Sequence, residues 1–159
     1  RYEDRKRVEL QVEKIKIDEP IYFKAGELSY DIFRQGWSKQ ERTMRWTNGP
    51  WAGMVLNVLE VKGKDLLLRL KAAAYLGGGR PHQTIGVQVN GQTVATWQVD
   101  RDAWHEALIP ADVVGEGLLK VVFNISNPTA PCDVSASKDR RKLGLAAREL
   151  VIVENNDKL

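Results

Sequence analysis

Residues 36–51 read Gly-Trp-Ser-Lys-Gln-Glu-Arg-Thr-Met-Arg-Trp-Thr-Asn-Gly-Pro-Trp, and they hold three of the five tryptophans in this 159-residue chain. Trp37, Trp46 and Trp51 are interleaved with Glu41 and Arg45. Indoles flanked by a guanidinium fork and a carboxylate can stack on a flat ligand face and hydrogen-bond its edge. The same residues equally suit a purely structural use, with the indoles plugging one end of a core and Glu41 pairing with Arg45, because tryptophan is deeply buried on average as well as enriched in binding sites. A second cluster, Asp139-Arg140-Arg141-Lys142-Leu143-Gly144-Leu145, raises the same choice. If Arg141 shares a strand face with Leu143 and Leu145, its charge needs a carboxylate partner, which Glu41 or Asp139 supplies. Alternatively, Arg141 and Arg45 present their forks to a sugar hydroxyl or an anionic glycan group.

Other chemistries find little support. The two histidines, His82 and His105, have no partner at metal-ligand spacing, and there is no Gly-x-Ser-x-Gly elbow for a hydrolase nucleophile. Gly77-Gly78-Gly79 lacks the Lys-Ser/Thr ending and the following helix of a phosphate cradle. Glu41, Glu106, Asp112 and Asp139 are carboxylates of the kind that glycoside hydrolysis needs, but sequence does not place any two at the required separation, and solvation is the usual fate of such acids. The chain is therefore read as non-catalytic. The lone Cys132, in Pro131-Cys132-Asp133, excludes an internal disulfide and has the setting of a loop thiol. A net charge of +3, with acids interleaved among the basic clusters, argues against nucleic acid as a partner. The composition, 43% hydrophobic and 28% charged, is that of a folded globular domain, and no apolar run is long enough to cross a bilayer.

The elements that must position these residues read as strands. Val8, Leu10 and Val12 alternate with polar residues, then the phase slips to Ile15 and Ile17, which predicts a strand with a bulge at Glu13-Lys14. Further strands are expected at 21–23, around Leu28, Tyr30 and Ile32, and over 52–61, 66–75, 84–89, 94–99, 104–109, 118–126 and 143–153. Asn90-Gly91 between two alternating runs marks a hairpin with a type I′ turn. Residues 76–82 and 127–131 read as loops, and 111–114 as a short 3₁₀-like turn. With no amphipathic helix of three turns anywhere, the fold class is all-β, a two-sheet antiparallel β-sandwich. The expected layout is a charged lead-in with a first strand over 1–26, the sandwich over 27–154 and a polar tail over 155–159.

Taken together, Gly36-Trp37-Ser38 with Glu41, Arg45-Trp46-Thr47 with Gly49, Val87-Gln88-Val89-Asn90-Gly91, Leu108-Ile109-Pro110 and the Asp139 to Leu145 run resemble the carbohydrate-binding-module-like jelly roll, a galactose-binding-like sandwich often attached to bacterial membrane glycosyltransferases and envelope polysaccharide enzymes. The resemblance spans roughly residues 27–153. It implies a non-catalytic accessory domain in an extracytoplasmic setting, periplasmic or cell-envelope, with a glycan ligand and with the membrane-embedded part of its own chain as a further partner. The charged lead-in lies outside the pattern. On this resemblance the ligand-binding candidates are Trp37, Glu41, Arg45, Trp46, Trp51, Asp139 and Arg141. No organic cofactor is implied. Sugar-binding jelly rolls often hold a structural calcium, for which Asp133, Asp139 and Asn124 are conceivable ligands, although no Asp-rich loop is present. The rival function is a structural or protein-interaction domain docking on its parent enzyme, with the same tryptophans in the core.

Overall fold

The structure, a computed structural model, describes residues 13–26 and 32–156. The strand expected around Val8 to Val12, and the alternation of Leu28 with Tyr30, lie outside the described residues. Eleven strands are present among those described: β1 (Lys14–Ile15), β2 (Ile21–Tyr22), β3 (Trp37–Gln40), β4 (Arg45–Asn48), β5 (Trp51–Val58), β6 (Leu66–Ala74), β7 (Gln83–Val89), β8 (Gln92–Val99), β9 (Ala103–Ile109), β10 (Leu118–Ile125) and β11 (Leu143–Glu154). Two one-turn helices accompany them, α1 (Ala111–Val114) and α2 (Pro131–Val134).

The strands form two sheets. Sheet A runs β1-β5-β10-β7-β8, and sheet B runs β3-β4-β11-β6-β9, with β2 pairing β11 as well. All pairings are antiparallel except β1 with β5. The result is the all-β, two-sheet jelly-roll sandwich expected.

Alternation explains why each strand lies as it does. In β6, Leu66, Leu68, Leu70 and Ala72 are buried while Leu67, Arg69 and Lys71 face outward. In β10, Leu119, Val121, Phe123 and Ile125 point inward. A one-residue slip would turn either apolar set to solvent, so burial fixes the register. The three alanines at 72–74 stay in the strand because their neighbours on both sides are committed to it, and three residues cannot nucleate a helix. Asn90 and Gly91 both take positive φ, 51° and 82°, which closes the β7–β8 hairpin as a type I′ turn.

Several features differ from expectation. The tryptophan-rich segment, where no strand was expected, supplies β3 and β4. Residues 111–114 form one α-turn, with the N–H groups of Val114 and Gly115 donating to Pro110 and Ala111 four positions back rather than three. Residues 131–134, read as loop, form α2, with Pro131 in the first turn, where its missing N–H costs nothing. Finally, the lead-in is not separate from the sandwich: β1 pairs with β5, β2 pairs with β11, and Ile15, Ile21 and Phe23 belong to the core.

Candidate functional site

The two sequence clusters meet around one side chain. Ser38 comes from β3, Glu41 from the turn after it, and Asp139 and Arg141 from the segment leading into β11. The Arg141 Nη1 donates to Glu41 Oε2 at 3.0 Å and to Ser38 Oγ at 2.9 Å. Its Nε and Nη2 donate to the Asp139 carboxylate at 3.1 and 2.8 Å, and the Arg141 backbone N–H also donates to Asp139 Oδ1. The side-chain and backbone hydrogen bonds from Arg141 hold the Asp139 carboxyl below the usual carboxylate range. Reciprocally, the hydrogen bonds that Arg141 donates to Asp139 push its guanidinium further up; desolvation opposes them with a smaller effect, and the bond donated to Glu41 adds to the rise. Arg141 therefore ties the β3 turn to the loop entering β11, one hundred positions apart in sequence.

The carboxylate partner sought for Arg141 is thus supplied twice, by Asp139 and by Glu41. Two details correct the sequence reading. Glu41 pairs with Arg141 and not with Arg45, whose Nε donates to the Ser38 carbonyl at 2.7 Å while its guanidinium stacks over Phe33 at 4.0 Å. Arg141 also lies ahead of β11 and does not share its face with Leu143 and Leu145.

The three tryptophans are not brought together on one surface. Trp37 pairs in register with the fully buried Thr47, so its ring turns inward against Phe23, Phe33 and Phe123, and its Nε1–H donates to the Gly53 carbonyl at 2.8 Å. Trp46, the next residue along β4, faces the other way and meets Tyr75 edge to face on the outer surface of sheet B. Trp51 begins β5 and stands 41% exposed on the outer face of sheet A, with its ring beside Gly53. The remaining two indoles divide likewise. Trp97 is buried, its Nε1–H donating to the Glu106 carbonyl, and Trp104 is exposed beneath the Arg69 guanidinium, on the same edge strand as the exposed Leu108. Trp104 was not among the sequence candidates, although alternation in β9 with Ala107 and Ile109 inward puts it on the outside.

Of the conceivable calcium ligands, two are engaged by cationic side chains. Asp139 is bonded to Arg141, Asp133 to Lys142 at 3.3 Å, and Asn124 stands exposed on β10. Among the described residues no group of three or more histidine, cysteine, aspartate or glutamate side chains is placed to hold a metal. His105 sits 3.2 Å from the Ala72 carbonyl and against Trp97, which is a packing position.

Surface concavities among the described residues include three. A basic one of about 570 Å³ is lined by Lys138, Arg140, Lys142 and Asp133 beside α2. A groove of about 640 Å³ lies on the outer face of sheet A between β7, β10 and the turn after α1. A third, of about 440 Å³, lies at Arg45, Lys39 and Gly26.

With this geometry in view, no family model matches the chain, and no curated protein matches it. Solved structures do. The CBM22-1 xylan-binding domain from Paenibacillus barcinonensis Xyn10C superposes with a TM-score of 0.54 at 16% identity, over 87% of this chain and 94% of that one. CsCBM6-3 from Clostridium stercorarium, in complex with cellobiose, gives 0.52 at 11% identity, over 90% and 98%. The acetyl xylan esterase Est2A from Butyrivibrio proteoclasticus gives 0.50 at 14% identity, and this chain spans 32% of the esterase's length. At these identities the likeness defines the fold, a jelly-roll β-sandwich.

Proposed function

We propose that this chain is a carbohydrate-interacting accessory module, non-catalytic in itself, of a bacterial enzyme acting on envelope polysaccharide or lipopolysaccharide, and that it works on the periplasmic side of the membrane. The observation that carries the reading is Trp51: a large indole held 41% exposed on the outer face of sheet A in a jelly roll. Its ring offers an apolar face to the C–H face of a pyranose, and neighbouring polar side chains then fix the hydroxyls. Likeness in fold to modules crystallised with cellobiose or named for xylan supports the ligand class. The envelope setting, and a contact with membrane-embedded parts of the same protein, rest on the sequence resemblance.

In this reading Trp46, half-buried on sheet B, is a stacking residue of a separate surface, since Trp51 faces out from sheet A. Trp37 supports Trp51 from beneath, through its bond to the Gly53 carbonyl. Ser38, Glu41, Asp139, Arg141 and Arg45 are the polar contacts on the sheet B side, where Arg141 is already satisfied by protein carboxylates and the second oxygen of Glu41 is the group most available to a sugar hydroxyl. Acrylamide quenching of tryptophan fluorescence, with and without soluble xylan, cello-oligosaccharides and purified envelope polysaccharide, tests the reading. Protection of the exposed indole by at least one glycan is expected, and quenching unchanged by all of them counts against it.

A second reading is favoured by a different surface. Trp104 and Leu108, 38% and 45% exposed, flank the Glu106–Arg69 pair on the edge strand β9. That patch has the apolar and aromatic character of a protein contact, as for docking on the parent enzyme.

A further inference from the structure

Resting on the carbohydrate reading, the geometry points to where the glycan lies: across the outer face of sheet A, in a trough floored by Gly86, bounded by Trp51 at one end and by the Asn90-Gly91 and Gly115-Glu116 turns at the other, with an uncharged pyranose chain as its ligand.

Gly86 is the first reason. Glycine inside a strand costs stability and marks a bulge, a bend or the close approach of something else. Most glycines here have evident local causes. Gly36 and Gly117 take positive φ, and a Cβ on either would strike backbone; a Cβ on Gly144 would strike Ile125. Gly53 is buried beneath the Trp51 ring and Arg34, whose nearest atoms lie 3.6 and 3.5 Å from where its Cβ would stand. Gly86 has no such cause. It does not take positive φ. A Cβ on it would meet nothing nearer than Asn124 Cβ at 3.7 Å, an ordinary contact. The fold would accept alanine there, so what the missing side chain provides is a low, open surface between Asn124 and Thr96.

Register then puts these positions together. Trp51 pairs with Asn124, Asn124 with Gly86, and Gly86 with Thr96, giving one row across β5, β10, β7 and β8. At about 4.8 Å per strand the row is about 14 Å long. The neighbouring row carries Gly53, Val122 and Gln88. From Gln88 and Val122 the floor continues into the groove of about 640 Å³, whose far wall is Gly115 and Glu116. That volume falls within the range of small-ligand sites.

The chemistry of the surface selects the ligand. Along the rows it presents one indole, the amides of Asn124 and Gln88 and the hydroxyl of Thr96, and these three polar side chains make no side-chain hydrogen bond among the described residues. The rows themselves carry no charge: Arg34 stands beside Gly53 at the Trp51 end, and Lys120 and Glu116, of opposite sign, stand at the far end. An indole with unspent neutral donors and acceptors, over an uncrowded floor, matches a polyhydroxylated chain without charged substituents. An acidic polymer would find better partners in the basic concavity beside α2.

The test is affinity gel electrophoresis of the whole domain in gels containing birchwood xylan, hydroxyethylcellulose or an uncharged bacterial O-polysaccharide. Wild type should be retarded by at least one of them. Trp51→Ala, Gly86→Ala and Gly86→Val should unfold at temperatures close to wild type, and Trp51→Ala and Gly86→Val should weaken retardation about tenfold, as loss of a central contact does. Gly86→Ala should fall between them and wild type, while Tyr22→Ala, on β2 of the opposite sheet, should bind as wild type. Wild-type binding that survives both Trp51→Ala and Gly86→Val overturns the trough and leaves the carbohydrate reading standing. Binding lost only in Trp104→Ala also overturns the trough, in favour of sheet B. No retardation of wild type by any of the three polymers overturns the carbohydrate reading and the trough with it.

Discussion

Trp37 and Trp51 lie in the same aromatic stretch, yet replacing each should have opposite consequences. The Trp37 ring packs against Phe33, Phe23 and Phe123 at centroid distances of 5.3, 5.6 and 6.3 Å, and its Nε1–H reaches the Gly53 carbonyl at 2.8 Å. A buried Trp→Ala change costs about 3–5 kcal/mol. Trp37 is half-buried, so the lower end, about 3 kcal/mol, is expected. Trp37→Phe keeps most of the ring packing and loses the hydrogen bond. The Gly53 carbonyl still accepts from the Arg34 N–H at 2.9 Å, so no buried acceptor is stranded and the cost should be about 1 kcal/mol. Trp51→Ala, at an exposed position, should stay within about 0.5 kcal/mol of wild type. Urea unfolding followed by far-UV circular dichroism reads all three. At about 2–4 °C per kcal/mol for a chain of this size, Trp37→Ala should also lower the melting temperature by about 6–12 °C. If Trp37→Ala unfolds within 1 kcal/mol of wild type, or if Trp51→Ala costs as much as Trp37→Ala, the division of the indoles between core and surface is refuted.

The pH dependence of the Arg141 clamp has a definite sign. Because the folded Asp139 carboxyl titrates below its unfolded value near about 4, its contribution is complete above that pH and fades as pH falls through the lower folded value. The gap in urea midpoint between wild type and Asp139→Asn should therefore narrow from pH 7 to pH 3, and a gap of constant size would contradict the assignment. At Thr47, fully buried, the hydroxyl accepts the Leu145 N–H at 2.9 Å where the β4–β11 ladder skips. Thr47→Val keeps the shape and strands that donor, which should cost about 1–3 kcal/mol in chemical denaturation. Gly144→Ala should lose about 1–3 kcal/mol, since its Cβ would drive into Ile125. Gly86→Ala should be neutral or slightly stabilising in the same assay.

Much of the architecture was legible because it is local. The β7–β8 hairpin announces itself in Asn90-Gly91 between alternating runs, and β6 and β10 follow from period two alone. The one-turn helices were less accessible: over four residues an α-turn and a 3₁₀-turn differ by one position in the hydrogen-bond acceptor, and Pro131 serves a helix start as well as a break. The lead-in looked separable because Lys14–Ile15 and Ile21–Tyr22 are too short to show that both pair into the sandwich. Within the site, a carboxylate for Arg141 was expected from a strand face shared with Leu143 and Leu145; the carboxylates are there, although Arg141 lies ahead of β11. That Glu41 pairs with Arg141, and not with Arg45, depends on a contact across a hundred positions with no short-range trace. Trp37 and Trp46 face opposite ways because β3 and β4 pair with a register shift between Trp37 and Gln40, which sequence does not display. The trough on sheet A escaped for a related reason: Gly86 is unremarkable until pairing through Asn124 of β10 sets it in one row with Trp51.

Strand β11 lies between β4 and β6 although it begins 69 positions after β6 ends, at Ala74, and later still after β4. On the ribosome, therefore, both neighbours are made long before the ribbon that joins them, and each waits with an open hydrogen-bonding edge. Such a sheet cannot consolidate piecemeal; it closes in one late, long-range step, of the slow kind that high contact order imposes. The interval before closure is when a nascent domain of this design is most exposed to sticking to its neighbours, so the Asp139 to Leu145 segment that anchors the hinge of that final insertion also governs how briefly the danger lasts.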